Sequence, residues 1–242
     1  MKTNINNKDK IKRITATAMF AAIAYAGVVL LKFQVGGFLT FDLKDALIAV
    51  CGMYFGPLYA LSIALIVPFL EFITISGTGV YGLIMNILAS VAFSLTASLL
   101  YKYKRTFWGA VIGLLGGVFA VVGVMLVANL LITPYYLHMP TETVAGMIPT
   151  LLLPFNAVKA VINAALTLLL YKPLTTALKR AGFRKAGWEQ TKVELDEEEK
   201  RKSKIRTIIV TVVALIIVAV SIFVIYKFLG GKVSFLDAFK AK

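Results

Sequence analysis

Residues 154–171 read PFNAVKAVINAALTLLLY, and this stretch decides the fold. It is almost wholly apolar and close to the ~20 residues that a helix needs to cross the hydrocarbon core of a bilayer. Lys159 nevertheless lies inside it, and a cation in that position is costly unless a partner pairs with it. Asn156, Lys159 and Asn163 are spaced i, i+3 and i+7, so a helix places all three on one face. The stretch therefore predicts a membrane span with a polar pocket along one side.

The composition of the 242-residue chain is that of an integral membrane protein. Hydrophobic residues make up 59% and charged residues 16%, and the mean hydropathy is +0.84, values outside the range of soluble domains. The net charge is +14, but the basic residues form short clusters between apolar runs. This is the positive-inside pattern and not the basic face of a nucleic-acid-binding domain. We therefore expect the lipid bilayer as a partner and no nucleic acid.

Hydropathy predicts seven helical spans, each judged against the length that a crossing needs. Gly56-Pro57 separates the second from the third, because proline removes a backbone donor and glycine turns the chain without a Cβ clash. The second run is short, which indicates a tilted or partly re-entrant helix. The fold class is therefore all-α integral membrane, a six-helix bundle with one additional C-terminal helix. The predicted spans are 14–31, 43–56, 57–75, 79–101, 107–132, 150–171 and 205–229.

Charge divides the chain into three regions. Residues 1–182 hold the first six spans, which we predict to be a substrate-binding membrane domain. Residues 183–204 form a charged linker, and residues 205–242 contain the extra span and a short tail. The basic clusters at the N-terminus and after the fourth and sixth spans belong in the cytoplasm. This places the linker in the cytoplasm and the tail outside.

Two common motifs of nucleotide-dependent and metal-dependent enzymes are absent from the sequence. There is no GxxxxGK[ST] loop to cradle a triphosphate, and His138 is the only histidine, so no HExxH motif is possible. Cys51 is the only cysteine, which excludes a cysteine metal site within one chain. A membrane enzyme using the carboxylates of Asp42, Asp45 and Glu71 stays an alternative, but no set of metal ligands completes them. We expect neither an enzyme nor a metal site.

A second group of polar residues lies near the predicted outer ends of the spans. Such groups, converging in one pocket with the amides of the sixth span, favour a ligand site. Glycine in this group lets the backbone approach a ligand closely, although it also serves simple turns. The candidates are Thr40, Phe41, Asp42, Glu71, Thr78, Gly79 and Asn129, together with Asn156 and Lys159.

Alanines recur at every fourth position of the first span. Ala18, Ala22 and Ala26 are spaced i, i+4 and i+8, and small residues at this spacing permit close contact between helices in a membrane. Two interpretations stay open at this point. The stripe packs within the bundle, or it is a docking face for another membrane protein.

Several strings resemble the riboflavin-binding S component of energy-coupling factor (ECF) vitamin transporters over about residues 10–182. They are NLLITPYY (129–136), LPFNAVK (153–159) and LLYKPL (169–174), with FDLKD (41–45) and YFGPL (54–58) similar to the family's first outer loop and second span. The resemblance implies that Asn129, Asn156 and Lys159 bind the flavin ring. It also implies that Ala18, Ala22 and Ala26 dock on the transmembrane coupling subunit. The charged linker and the seventh span lie outside the family's usual six-span pattern.

The resemblance implies a function in the bacterial plasma membrane. The chain would capture riboflavin, as transported ligand and not as covalent cofactor, for uptake driven by a coupling subunit and two ATPase subunits. One alternative is an S component for another small vitamin, such as folate, thiamine or pantothenate. A second is a flavin-handling membrane protein in which the C-terminal span has a separate role.

Overall fold

The computed structural model describes residues 7–35 and 38–183, together with helical positions 205, 208, 209, 212–216, 219 and 220. From residue 184 onward, the predicted charged linker lies outside the described residues. So do much of the predicted seventh span and the tail that follows it. The interpretation of these segments stays a prediction.

The described chain is a bundle of helices with one small hairpin, which confirms the all-α membrane class. Five helical stretches are long and apolar enough to cross a bilayer: Lys10–Leu31, Pro57–Thr74, Gly79–Tyr103, Phe107–Leu137 and Thr141–Arg180. The helices are α1 (Asn7–Leu31), α2 (Lys44–Phe55), α3 (Pro57–Thr74), α4 (Gly79–Tyr103), α5 (Phe107–Leu137), α6 (Thr141–Met147) and α7 (Leu153–Arg180). A π-helical turn, Ile148–Leu152, joins α6 to α7, and strands β1 (Phe33–Val35) and β2 (Leu39–Phe41) pair antiparallel.

Helix α2 explains why the second hydrophobic run is short. Its 12 residues extend about 18 Å at 1.5 Å per residue, well below the thickness of a bilayer core. Every residue of α2 except Leu47 is buried, and the helix packs against α1, α3, α4 and α7. It is therefore the central element of the bundle, and its polar N-terminal end at Lys44 and Asp45 lies inside the protein.

Two features of the outer segments differ from the sequence prediction. The segment 133–149, predicted as a connection, is mostly helical, because α5 continues through Pro134 to Leu137 and α6 begins at Thr141. Pro134 lies three residues before the end of α5 and removes only one backbone hydrogen bond, so the helix continues past it and is longer than hydropathy predicted. The hairpin of β1 and β2 was also not predicted, since its strands have three residues each.

Glycines bring α4 and α5 into close contact. Gly113 and Gly117 of α5 face α4 so closely that an added Cβ would lie 2.7 Å from the carbonyl oxygen of Ala97 and 2.8 Å from that of Phe93. Lipid offers no hydrophobic drive for helix association, so such contacts stabilise a bundle through packing. Gly123 of the same helix has no atom within 4 Å of an added Cβ and provides a matched comparison.

We predict that Gly113→Ala lowers the thermal stability of the protein in detergent micelles. The added methyl group must push α4 and α5 apart, at a cost of about 1–3 kcal/mol typical of overpacking. Gly123→Ala adds the same methyl group in open space, so it should leave stability unchanged or raise it by up to about 1 kcal/mol through helix propensity. Equal melting temperatures for the two variants would contradict the close α4–α5 contact.

Candidate functional site

A cavity that is partly open to solvent lies between the hairpin and helices α4, α5 and α7. The hairpin contributes one wall through β2, and the first half of α4 and the second half of α5 contribute two others. Its lining residues are Phe38, Leu39, Thr40, Thr78, Tyr81, Gly82, Met85, Asn86, Ala89, Met125, Asn129, Ile132, Thr133, Tyr136, Phe155 and Asn156.

The structure brings four of the nine predicted ligand residues to this cavity: Thr40, Thr78, Asn129 and Asn156. Phe41 is buried instead in an apolar cluster with Val144 and Leu152, behind the hairpin. Gly79 begins α4 with a φ of 59°, a conformation that suits glycine, and does not line the cavity. Asp42, Glu71 and Lys159 belong to a buried ionic network next to the cavity.

The two predicted amides are anchored to their own helices. Asn129 donates from Nδ2 to the carbonyl oxygen of Met125 at 2.7 Å, and its Oδ1 accepts from the hydroxyl of Thr133 at 2.9 Å. Asn156 donates from Nδ2 to the carbonyl oxygen of Leu152 at 2.8 Å. A carboxamide has two N–H donors and two acceptor lone pairs, so each side chain keeps hydrogen-bonding capacity beyond these anchors. Both amides are thus fixed in place and able to bind a ligand.

Lys159 is paired, as a cation within a span requires. Its Nζ lies 2.9 Å from Oδ2 of Asp42 and donates to the carbonyl oxygen of Thr40 at 3.0 Å. These contacts connect α7 to the end of β2. Lys159 therefore holds the hairpin strand whose Thr40 lines the cavity, although its own side chain is not part of the lining.

The same aspartate starts a chain of ion pairs through the interior. Asp42 Oδ2 lies 3.0 Å from Lys44 Nζ, which lies 3.5 Å from Glu71 Oε2. Glu71 Oε1 in turn accepts from Lys32 Nζ at 2.6 Å. The network thus connects the end of α1, the loop before α2, α2 itself, α3 and α7.

The carboxylates of this interior region are all engaged. Asp45 accepts a hydrogen bond from the hydroxyl of Ser90 at 2.6 Å, while Asp42 and Glu71 pair with the three lysines of the network. Burial raises the pKa of Asp42, but the ammonium groups of Lys159 and Lys44 outweigh it and hold the pKa below its usual range. Asp42 therefore stays ionised at neutral pH and keeps both pairs intact.

The lining of the cavity is uncharged among the residues that the structure describes. It consists of amides, hydroxyls, aromatic rings and aliphatic groups, and the charged side chains lie behind it. Such a wall suits a neutral ligand that combines apolar surface with hydrogen-bonding groups. The carboxylates considered for a membrane enzyme, Asp42, Asp45 and Glu71, are engaged with ammonium or hydroxyl partners.

Several lining residues were not singled out from the sequence. Five of them lie on α4, and four of these, Gly82, Met85, Asn86 and Ala89, follow Thr78 at intervals of three and four. Helical periodicity applied from Thr78 would have identified this face. The aromatic members, such as Tyr81, Tyr136 and Phe155, are indistinguishable from lipid-facing aromatics by sequence alone.

The alanine stripe of α1 points away from the bundle. Ala18, Ala22 and Ala26 are exposed, whereas Ala16 and Ala24 of the same helix are buried. Within the described residues, the stripe is therefore not used for internal packing. The role of the stripe as a docking face for another membrane protein stays a prediction.

Comparisons with known proteins agree with this geometry. The family model "ECF transporter, substrate-specific component" matches residues 12–171. The riboflavin transporter RibU of Staphylococcus aureus (strain TCH60) is 28% identical over 183 residues, covering 72% of this chain and 96% of the relative. The riboflavin transporter FmnP of Bacillus subtilis (strain 168) is 29% identical over 171 residues, covering 63% of this chain and 86% of the relative.

A solved structure of the S component of a bacterial ECF transporter shares the fold. It matches with a TM-score of 0.60 and 29% identity, covering 71% of this chain and 99% of that one. With the family model extending over residues 12–171, the chain belongs to the substrate-specific components of ECF transporters, a family of multi-pass membrane proteins.

Proposed function

We propose that this protein captures riboflavin, or a closely related flavin, as the substrate-binding subunit of an ECF-type ABC vitamin importer. The observation that carries the proposal is the uncharged cavity whose wall combines anchored amides with aromatic and aliphatic side chains. The flavin ring is flat and largely apolar, with nitrogen and carbonyl groups at its edge, so it matches such a wall. The two relatives described as riboflavin transporters support the same ligand.

Two of the three predicted ring contacts, Asn129 and Asn156, line the cavity, which supports the proposal, while Lys159 lies behind its wall. Asn129 and Asn156 would pair with the ring nitrogens and carbonyls, leaving no buried donor unpaired. Lys159 has three N–H donors, of which the contacts to Asp42 and Thr40 use two. Its role would therefore be to fix the hairpin wall and to offer one further donor at the margin of the cavity.

The cavity would open to the outside of the cell. It lies at the end of the bundle where α4 begins, whereas Lys102 near the end of α4 and Lys179 and Arg180 at the end of α7 lie at the opposite end. Basic clusters stay in the cytoplasm. The N-terminus would then be cytoplasmic, and the tail after the seventh span extracellular.

Uptake would depend on partner subunits, because this chain has no triphosphate-binding loop. A transmembrane coupling subunit and two ATPase subunits would supply the energy, and no covalent chemistry would take place on the ligand. The exposed stripe of Ala18, Ala22 and Ala26 would dock on the coupling subunit, where small residues permit close helix contact.

The identity of the ligand is tested with the full chain purified in detergent. We expect a visible flavin absorbance to co-purify, and quenching of riboflavin fluorescence when ligand-free protein is added. Folate, thiamine and pantothenate should not compete. Competition by one of these vitamins, with no quenching of riboflavin, would assign the chain to another ligand of the same family.

Lys159→Ala should weaken riboflavin binding by about tenfold or more while the protein stays folded, since loss of a charge-assisted hydrogen bond costs about 1.5–3 kcal/mol. Asp42 would retain its pair with Lys44 at 3.0 Å, which limits the cost to stability. Fluorescence quenching gives the affinity, and thermal unfolding gives the stability. The control is Lys102→Ala, because Lys102 is exposed and lies at the end of α4 that is far from the cavity. Unchanged affinity in Lys159→Ala would contradict the assignment of this residue.

Ala22→Leu should reduce assembly with the coupling subunit and leave riboflavin affinity unchanged. The larger side chain would stand out from the exposed stripe of α1 and keep the partner helix at a distance. Co-purification with the coupling module measures assembly. Ala145→Leu, at an exposed position of α6 near the cavity end, is the matched control. Normal assembly of the Ala22→Leu variant would contradict the docking role.

A further inference from the structure

Asn86 connects the cavity to the ionic network. It lies on α4, lines the cavity and is half-buried. Its Oδ1 accepts from Lys44 Nζ at 3.3 Å, and its Nδ2 donates to Glu71 Oε1 at 3.2 Å. Among the described lining residues, Asn86 contacts the charged network through its side chain, whereas Thr40 does so through its backbone carbonyl.

These two contacts fix the orientation of the amide. An ammonium group can only donate hydrogen bonds, and a carboxylate can only accept them. A rotation of the amide by half a turn would place Oδ1 against Glu71 and the NH₂ group against Lys44, so both contacts would become repulsive. Both charged partners are themselves held, Glu71 by Lys32 and Lys44 by Asp42.

The amide keeps half of its hydrogen-bonding capacity. One N–H of Nδ2 and one lone pair of Oδ1 remain after the contacts to Glu71 and Lys44. The residue lines the cavity, so these groups are available to a ligand. An adjacent donor and acceptor in fixed orientation suit a hydroxyl group, which both donates and accepts.

We propose that Asn86 is a specificity-determining residue that hydrogen-bonds the hydroxylated chain of the ligand, with Glu71 and Lys44 as its positioning residues. The inference rests on the proposed function and assigns a second part of the same cavity. In this assignment the amides of Asn129 on α5 and Asn156 on α7 hydrogen-bond the flavin ring. Asn86 on α4 hydrogen-bonds the hydroxylated side chain of the flavin. The threonine that precedes α4, Thr78, adds a hydroxyl to the same wall.

A comparison of two flavins separates a contact between Asn86 and the hydroxylated chain of the ligand from a general effect on the cavity. Riboflavin carries a chain of hydroxyl groups, and lumiflavin has the same ring with a methyl group in its place. We expect Asn86→Leu and the smaller Asn86→Ala to weaken riboflavin binding by about tenfold to a hundredfold, as loss of hydrogen bonds to a fixed amide implies. Lumiflavin affinity should change by less than about threefold, since its ring contacts are intact. Titrations by fluorescence quenching measure both affinities.

The control is Met85→Leu, a volume-conserving change at the neighbouring lining position, which has no polar group to lose. It should shift both affinities by the same factor. Equal losses for the two flavins in both Asn86 variants, or unchanged riboflavin affinity, would overturn the role of Asn86. Failure of the unchanged protein to bind either flavin would instead refute the proposed function, so the two results are distinguishable.

Discussion

The structure depends on the carboxylate of Asp42, which lies between two ammonium groups in the interior of a membrane protein. Lys159 and Lys44 approach its Oδ2 at 2.9 and 3.0 Å, and no part of Asp42 is exposed. A buried charge left without any partner typically costs 3–5 kcal/mol, and Asp42 has two partners. The pairs therefore hold the end of the hairpin, the start of α2 and the first turns of α7 in one arrangement, and that arrangement shapes a wall of the cavity.

The fold was largely predictable from the sequence, because hydropathy and helix length are strong signals in a membrane protein. The short second helix was visible as a short apolar run, and Gly56-Pro57 marked its end. Hydropathy could not show that α2 is the buried centre of the bundle, since apolar residues face lipid and protein interior alike. Nor could it show the helical continuation past Pro134, which depends on local hydrogen bonds.

The site was predictable only in part, because a sequence shows which charged residues need partners but not which residues those partners are. Lys159 stood out because a lone cation in an apolar run needs a partner, but the sequence could not identify that partner as Asp42, which is 117 positions away. The isolated Lys32 and Lys44 gave no signal of their own, yet both belong to the same network. Asn86 was missed because an amide within a span is as often structural as functional, and only its position on the cavity wall separates the two cases.

The separation of charge from the cavity has a physical purpose. A charged wall would lose its hydration when a ligand displaced water from it. A neutral ligand has no opposite charge to compensate for that loss. With the lysines and carboxylates paired behind the wall, the ligand meets amides and hydroxyls, whose hydrogen bonds it can replace. The ion pairs still act on the ligand, because they hold Thr40 and fix the orientation of Asn86. The network thus positions the polar groups of the cavity wall while its own charges stay away from the cavity. This arrangement allows a membrane protein to bind a polar but uncharged molecule selectively.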